Sequence, residues 1–450
     1  MMIISNDQFP NFIKYMGSKT SIMKFIEYGI NQVHKDGQII CDLFSGSATL
    51  SGALRGQCNI ISNDIQYYSK ILTQTYLSEY DWDSYPSIER LVAEAQQRAD
   101  NFHNHFKQFS NAFDYKKNLT LKQFNEIEQQ QQILIDFDDF KNFDNYYLFT
   151  KNYSGTYWSY EQCIWIDSLK FVADKYSHIQ SLHSAILTSL MFAMAYNSQS
   201  TGHYAQYRDA NTEASMNDIS IYRRKEISGF FTRKMMEIKE KFSSYKTDYY
   251  EATTLDFLDC LEHAPQNSLI YADPPYCFVH YSRFYHALET LVKYDYPEVK
   301  FKGRYRTDRH QSPFCINTQV SQAFSQMFAK IKNKEQELVL SYSNSPTNTI
   351  SLNELLLHAC IDLNGITELK LQKEISIYIN DLFPDSEIKK LAYDDEYEVI
   401  DILNSEVFGR KFIYDIQLLA SSHKHSTMGR KGDKSRRVEE VLIIAKKPIF

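Results

Sequence analysis

Short apolar runs followed by turns recur in two separated parts of the sequence. Residues 37–44 enter a small-residue turn, residues 47–55 have a helical pattern, and residues 59–65 form a second apolar run. This order is typical of parallel strands joined by a helix. The same pattern returns at 249–257 and 268–276. We therefore predict one α/β sheet built from two distant parts of the chain.

The C-terminal part of the chain adds three more apolar runs. Residues 337–343 are typical of a buried strand, and residues 411–420 and 438–446 are separated by a polar, basic loop. We predict that these last two runs form an antiparallel pair at one edge of the sheet, because parallel sheets often carry antiparallel strands at an edge.

The long segment between the two α/β parts, residues 76–245, has a different character. It is rich in Gln, Lys, Phe and Tyr and poor in Gly and Pro. Helical periodicity predicts helices at 88–108, 119–134, 160–196 and 222–245. We therefore divide the chain into a discontinuous domain of residues 1–75 and 246–450 and a helical insertion of residues 76–245.

The composition limits the classes of partner. The 450 residues carry a net charge of −7, so nucleic-acid contact requires local basic patches. No stretch approaches the roughly 20 apolar residues of a membrane helix, and the first residues lack a secretory signal pattern. The seven cysteines contain no Cys-x-x-Cys pair. These features predict a cytoplasmic protein with reduced cysteines and no membrane partner.

Two polar clusters follow the first two predicted strands. Asp42, Phe44 and Gly46 lie in the turn after the first strand, where glycine permits close approach of a ligand to the backbone. Because the turn lacks the G-x-G-x-x-G pattern that cradles a pyrophosphate, it favours a cofactor without phosphate. Asp64 follows the second strand. There it can either accept hydrogen bonds from both hydroxyls of a ribose or cap the next helix.

The most specific motif, Asp273-Pro274-Pro275-Tyr276, directly follows an apolar strand. Two prolines cannot continue a β-ladder, so they hold the backbone stiffly at the end of the strand. The Asp273 carboxylate and the Pro274 carbonyl can then both accept hydrogen bonds from one NH2 group, while Tyr276 offers a flat face for stacking. The motif therefore indicates a site for an amine on a flat ring.

In their order along the chain, these motifs resemble the Dam-type N6-adenine-specific DNA methyltransferases of the alpha arrangement. The resemblance rests on residues 14–19, 42–46, 63–65 and 273–276. It implies a Rossmann-like, S-adenosylmethionine-dependent methyltransferase sheet whose helical insertion is the target recognition region. The cofactor-binding residues assigned on this basis are Tyr15, Lys19, Asp42, Phe44, Gly46, Asp64 and Asp273, with Asp256 a candidate for holding the cofactor's adenine amine.

The resemblance also implies the reaction, which is methyl transfer to N6 of a flipped-out adenine in duplex DNA. Asp273, Pro274, Pro275 and Tyr276 would be catalytic, and no metal is required. An exocyclic amine is a poor nucleophile because its lone pair is delocalised into the ring. Accepting both amine hydrogens favours a tetrahedral nitrogen with its lone pair directed at the methyl group. The base must leave the duplex to reach this site.

Other functions stay open at this point. Cytosine-N4 enzymes of the family more often carry Ser in place of Asp273, and RNA enzymes of this fold often carry Asn, so Asp favours adenine in DNA. A catalytically inactive DNA-binding protein is the least favoured alternative, because Asp64 and the 273–276 motif are intact. The resemblance implies a prokaryotic or phage protein, either a restriction–modification methylase with a cognate endonuclease or a solitary protective methylase. It would act as a monomer or dimer.

Two basic segments are candidates for contact with DNA phosphates. Residues 300–309 hold five Lys or Arg and one Asp, and residues 424–437 hold six Lys or Arg and one Asp. The predicted DNA-binding residues are Lys302, Arg304, Arg306, Arg309, Arg430, Lys431, Lys434 and Arg436. A polar turn at 201–204 fits a DNA contact and an interhelical turn equally well.

Overall fold

An eight-stranded sheet forms the centre of the protein. The structure, a computed structural model, describes residues 3, 9–15, 17–109, 112–115, 118–199, 203–242, 249–276, 281–343, 345, 347–384, 397–424 and 437–448. The strands are β1 (Ile40–Asp42), β2 (Ile60–Asn63), β3 (Tyr250–Thr253), β4 (Leu269–Ala272), β5 (Val299–Lys300), β6 (Tyr305–Arg306), β7 (Glu337–Ser343), β8 (Glu398–Leu403), β9 (Asp415–Lys424) and β10 (Arg437–Lys446). The sheet has the order β3-β2-β1-β4-β7-β10-β9-β8, and β5 and β6 form a separate hairpin.

Strands β3, β2, β1, β4 and β7 are parallel neighbours. Ile40 of β1 lies opposite Ile60 of β2 on one side and Leu269 of β4 on the other. The chain runs outward from β1 to β3 in one direction and from β4 to β7 in the other, so the strand order reverses between β1 and β4. Such a reversal leaves a crevice at the carboxyl ends of the strands. The predicted α/β sheet from two distant parts of the chain is confirmed.

The two C-terminal strands pair antiparallel, as predicted, with Arg437 opposite Lys424 and Lys446 opposite Asp415. Their predicted position at the edge of the sheet is wrong. β10 lies between β7 and β9, and β8 pairs with the outer side of β9. The additional strand β8 satisfies backbone groups that β9 would otherwise present to solvent.

Helices cover both faces of this sheet. They are α1 (Met23–Asn31), α2 (Thr49–Ala53), α3 (Tyr67–Leu77), α4 (Ile88–His105), α5 (Leu121–Gln132), α6 (Leu148–Tyr153), α7 (Tyr160–Lys175), α8 (Gln180–Asn197), α9 (Glu213–Arg223), α10 (Ile227–Lys241), α11 (Phe257–His263), α12 (Tyr281–Lys293), α13 (Val320–Asn333), α14 (Leu352–Asn364), α15 (Leu369–Leu382) and α16 (Ser405–Phe408). None of the described helices is both long enough and apolar enough to cross a membrane.

The described residues between α3 and β3 contain helices and no strand of the sheet, as expected for the insertion. Three of these helices begin with a capping box, formed by Thr120 with Gln123 in α5, by Ser159 with Gln162 in α7 and by Thr212 with Ser215 in α9. Each box satisfies backbone N–H groups that the first turn leaves free. The helix predicted at 160–196 is divided into α7 and α8 by a short turn, which apolar periodicity alone does not reveal.

Two apolar cores lie on opposite faces of the sheet, because successive side chains of a strand alternate between its faces. One core packs Leu338 of β7 against α11, α13, α14 and α15. The other contains Ile40 and Ile60 of the sheet together with Leu190 of α8 and Phe231 of α10. Most insertion helices (α4, α6, α7, α8 and α10) therefore share a continuous core with the sheet, while the functional division into two domains stays a prediction.

A buried ion pair joins α5 to the end of α9. Arg223 Nε donates to Glu128 Oε1 at 2.9 Å, and a terminal guanidinium nitrogen of Arg223 donates to Glu128 Oε2 at 2.5 Å and to the Thr156 carbonyl at 2.6 Å. The Tyr115 hydroxyl also donates to Glu128. Because the Arg223 side chain is 0% exposed, its charge depends on these partners for stabilisation.

Candidate active site

A cleft opens at the carboxyl ends of β1, β2, β3 and β4, where the strand order reverses. Its empty volume is about 1260 Å³, including space open to solvent. All predicted cofactor-binding and catalytic residues line this cleft: Tyr15, Lys19, Asp42, Phe44, Gly46, Asp64, Asp256, Asp273, Pro274, Pro275 and Tyr276. The structure brings these residues together from distant parts of the chain, and their individual roles stay predictions.

The aromatic ring of Tyr15 lies against the turn after β1. Gly46 has φ +51°, and a Cβ placed on it would lie 2.8 Å from the Tyr15 hydroxyl oxygen. The Tyr15 ring stacks on Tyr285 with ring centroids 4.6 Å apart. Glycine is therefore required at this position for both its backbone conformation and its lack of a side chain.

Asp64 connects this turn to the start of α3. Its Oδ2 accepts from the Gly46 backbone N–H and its Oδ1 from the Gln66 backbone N–H, both at 2.9 Å. Burial raises the pKa of Asp64 to about 6, although the two hydrogen bonds favour the ionised form. Asp64 thus supports the start of α3 and also presents a carboxylate to the cleft.

Asn63 is a structural residue of the site that the sequence analysis did not single out. Its side-chain nitrogen donates to the carbonyls of Leu43 and Leu255, at 3.2 and 3.1 Å. Its side-chain oxygen accepts from the Leu255 backbone N–H at 2.9 Å and from the Thr253 hydroxyl at 2.7 Å. One amide thereby fixes the ends of β1, β2 and β3 relative to one another.

Asp42, the last residue of β1, is 1% exposed. Its Oδ1 has no hydrogen-bond partner in the described part of the chain. Burial, reinforced by the nearby carboxylates of Asp273 and Asp64, raises the pKa of Asp42 well above its usual value. A neutral carboxyl group can donate as well as accept, so Asp42 can bind a polar group of a ligand in the cleft.

Asp256 and Phe44 form another side of the cleft. The Asp256 side chain caps α11 by accepting from the Leu258 backbone N–H at 3.0 Å. The Phe44 ring lies 6.2 Å from Phe257 and 5.4 Å from Phe314, between ring centroids. This side therefore combines an apolar wall with one carboxylate.

Lys19 lies between two carboxylates. Its Nζ is 3.0 Å from Asp273 Oδ1 and 3.7 Å from Glu440 Oε2. Burial alone lowers the pKa of Lys19, but the charges of Asp273 and Glu440 outweigh this effect, so the pKa is raised. Lys19 is therefore protonated and forms an ion pair with Asp273.

Tyr276 follows the two prolines, and both its ring and its backbone carbonyl make contacts that hold it in place. Its ring centroid lies 5.0 Å from that of Tyr342 and 5.7 Å from Lys19 Nζ. Its backbone carbonyl accepts from the Thr349 N–H at 2.9 Å. The end of β4 is thus tied to β7 and to the chain that follows it, which supports the predicted stiffness of the motif.

The sequence analysis missed two contributions to the site. Glu440 is 2% exposed on β10, opposite Ser343 of β7. The available signal was a charged residue in the apolar run 438–446, and it did not distinguish Glu440 from the adjacent Glu439. Residues of the segment 310–315 also line the cleft, and no local pattern in that segment distinguished them.

The first basic segment is largely occupied by contacts within the protein. Lys302 pairs with Asp209, and Arg304 donates to the Gln132 carbonyl at 2.7 Å. Arg309 Nε donates to the Arg306 carbonyl at 3.0 Å.

Arg306 is 2% exposed and forms ion pairs with Asp295 and Asp308. This burial is evidence against a phosphate contact by Arg306, because its charge is already neutralised. The predicted residues Arg430, Lys431, Lys434 and Arg436 lie outside the described residues. DNA binding by the two segments stays a prediction.

Comparison with known proteins agrees with this geometry. A family model described as D12 class N6 adenine-specific DNA methyltransferase matches residues 15–350, a range that includes every residue of the cleft named above except Glu440. Modification methylase LlaI of Lactococcus lactis subsp. lactis is 23% identical over 385 residues, which cover 84% of this chain and 54% of that protein. Type II methyltransferase M.FokI of Planomicrobium okeanokoites is 22% identical over 344 residues, which cover 74% of this chain and 44% of that protein.

The chain spans about half the length of these curated relatives. The family match covers more of the chain than the individual motifs do. It includes the N-terminal turn, the helical segment and the 273–276 motif in one alignment. The chain belongs to the D12 class N6 adenine-specific DNA methyltransferase family.

Proposed function

We propose that this chain transfers the methyl group of S-adenosylmethionine to the N6 amine of an adenine in duplex DNA. The observation that carries the proposal is the position of residues 273–276, which begin directly after β4 and open into the cleft that holds Gly46 and Asp64. An acceptor for an amine and a turn suited to a nucleoside thus share one cavity. Membership of the family supports the same reaction.

The residues of the cleft fit S-adenosylmethionine. Asp64 would accept from the ribose hydroxyls beside the Gly46 turn, and the partnerless Oδ1 of Asp42 would bind a polar group of the cofactor. Asp256 would accept from the adenine amine, with Phe44 as an apolar neighbour. When bound, S-adenosylmethionine supplies a methyl group that is already activated on a sulfonium.

The 273–276 motif would position the target base. Asp273 and the Pro274 carbonyl would accept the two amine hydrogens and direct the nitrogen lone pair toward the methyl group. Lys19 pairs with Asp273, and a carboxylate is a stronger acceptor than a neutral group. Burial raises the pKa of Tyr276, so its ring stays neutral and available for stacking on the base.

The names of the relatives suggest the biological setting. One is called a modification methylase and the other a type II methyltransferase. We infer that this chain protects duplex DNA in the cytoplasm of a bacterium against a cognate restriction endonuclease that recognises the same sequence.

The direct test is methyl transfer from labelled S-adenosylmethionine to mixed-sequence duplex DNA, followed by digestion to nucleosides. We expect N6-methyladenine, and sequencing of the product would give the target site. Matched reactions with single-stranded RNA and with S-adenosylhomocysteine in place of the cofactor are the controls. N4-methylcytosine as the product, or transfer to RNA alone, would contradict the proposal.

The raised pKa of Asp64 predicts a pH-dependent affinity for the cofactor. Above about pH 6 the carboxylate is ionised and accepts strongly, and below that pH protonation removes acceptor capacity. The dissociation constant of S-adenosylmethionine should therefore rise about tenfold per pH unit on the acid side. Titration calorimetry from about pH 5 to about pH 8 measures this dissociation constant.

Variants identify the titrating group. Asp64→Asn should bind the cofactor more weakly and lose the step near pH 6. Asp42→Asn, which alters a neighbouring carboxyl group of the same cleft, should retain the step. A step that persists unchanged in Asp64→Asn would assign the titration to another group.

A further inference from the structure

A second basic surface lies on the helical segment, where α9 meets α10. Arg224 and Lys225 occupy the turn between the two helices, and Arg233 lies on α10. We define the α9–α10 surface as Lys14, Tyr196, Tyr222, Arg224, Lys225, Phe230 and Arg233. Lys14, Arg224 and Arg233 are exposed, and Lys225 is half-buried. These residues come from three separate parts of the sequence, so the short cationic run Arg223-Arg224-Lys225 marks only one part of the surface.

The four cations of this surface form no ion pair with a carboxylate among the described residues. By contrast, the adjacent cations Arg223 and Lys234 form ion pairs, Arg223 with Glu128 and Lys234 with Glu237. Burial and the nearby charge of Lys14 lower the pKa of Lys225, as expected where like charges are close. The α9–α10 surface therefore carries uncompensated positive charge, in contrast to the 300–309 segment.

Aromatic rings lie against three of these cations, Lys14, Lys225 and Arg233. Lys14 Nζ lies 4.4 Å from the centroid of Tyr196, and Lys225 Nζ lies 4.0 Å from that of Tyr222. The Arg233 guanidinium carbon lies 4.9 Å from the centroid of Phe230. A ring face orients a cation without neutralising it. The charges are thus positioned and still available to an anion.

The surface includes a shallow groove and adjoins the cleft. Arg224, Gly229, Phe230 and Arg233 line the groove together with a single acidic residue, Glu226. Lys14 directly precedes Tyr15, whose ring covers the Gly46 turn of the cleft. A polyanion lying along the groove would therefore reach the rim of the proposed catalytic site.

We propose that the α9–α10 surface binds the phosphodiester backbone of the duplex whose adenine enters the cleft. This inference rests on the proposed function, and it assigns DNA contacts to residues outside the two basic segments. Uncompensated Lys and Arg side chains bind phosphates and release condensed cations from the DNA. The half-buried rings of Tyr196, Tyr222 and Phe230 add sequence-independent contact area beside the phosphates.

The test compares two variants with the same change of charge. Arg224→Gln/Arg233→Gln removes two cations from the surface, and Lys122→Gln/Lys370→Gln removes two cations that are 87% and 91% exposed elsewhere. The affinity of the full chain for a short duplex of mixed sequence is measured over a range of NaCl concentrations. The slope of log affinity against log salt is negative, and its magnitude should decrease by about 1.8 for the first variant. It should stay within experimental error for the second.

Two further readouts separate this inference from the proposed function. The first variant should bind S-adenosylmethionine as the wild type does, and should show a raised KM for DNA with an unchanged kcat. Methylation by the wild type together with an unaltered salt slope in Arg224→Gln/Arg233→Gln would overturn the surface alone. A reduced slope with no methyl transfer by the wild type would support the surface and overturn the reaction.

Discussion

Replacing Asp273 with Asn should lower the rate of methyl transfer by about a hundredfold to a thousandfold, the usual effect of removing one electrostatic contact to a developing charge. The substitution keeps the size of the side chain and removes its negative charge. The neutral amide would be a weaker acceptor for the amine hydrogens, and Lys19 would keep only Glu440 as a close carboxylate partner. The effect should therefore appear in the chemical step.

Single-turnover transfer at saturating DNA and cofactor measures that step without contributions from binding. Asp259→Asn is the matched control, because Asp259 is an exposed residue of α11 with the same side chain. Its rate should equal that of the wild type. A wild-type rate in Asp273→Asn, with cofactor affinity retained, would exclude Asp273 as the acceptor of the amine hydrogens.

Replacing Arg223 with Met should lower the free energy of unfolding by about 3–5 kcal/mol, because it leaves Glu128 buried without its partner. The Thr156 carbonyl would lose a hydrogen bond in the same substitution. Urea unfolding followed by circular dichroism measures the change as a lower midpoint. The exposed neighbour offers a control, and Arg224→Met should leave the midpoint close to that of the wild type.

A double variant tests the cause of the Arg223 effect. Glu128→Leu/Arg223→Met removes both charges, and replacement of a buried ion pair by apolar residues is often close to neutral. We expect it to recover part of the lost stability. A double variant less stable than Arg223→Met would show that the hydrogen bond from Tyr115 to Glu128, which only the double variant loses, outweighs the unpaired charge.

The sheet and most of the cleft could be predicted because their signals are local. Apolar runs followed by Gly46, Asp64 and the 273–276 motif identify strands that end at the same edge of a parallel sheet. Strand β7 was predicted with its observed bounds, Glu337–Ser343. The position of β8 could not be predicted, because the order of antiparallel strands depends on pairing between distant segments.

Charge neutralisation is the part of the site that sequence could not reveal. The density of Lys and Arg in 300–309 suggested a free cationic segment, yet Arg306 is paired with Asp295 and Asp308. Conversely, Lys19 and Glu440 are far apart in the chain and meet only through the order of the strands. The fold determines which partner each charged side chain meets. Local composition therefore predicts how many Lys and Arg side chains a segment holds, and not whether they are free to bind a ligand.

The shared core has a consequence for the prediction that the helical segment recognises the target sequence. Leu190 and Phe231 of the helical segment lie in the same core as Ile40 and Ile60 of the sheet. Exchange of this segment between relatives would therefore remove part of the packing that supports the cleft. We expect new recognition sequences in this architecture to arise by substitution on exposed helix faces, and transplanted segments to require compensating changes in the strands beneath them.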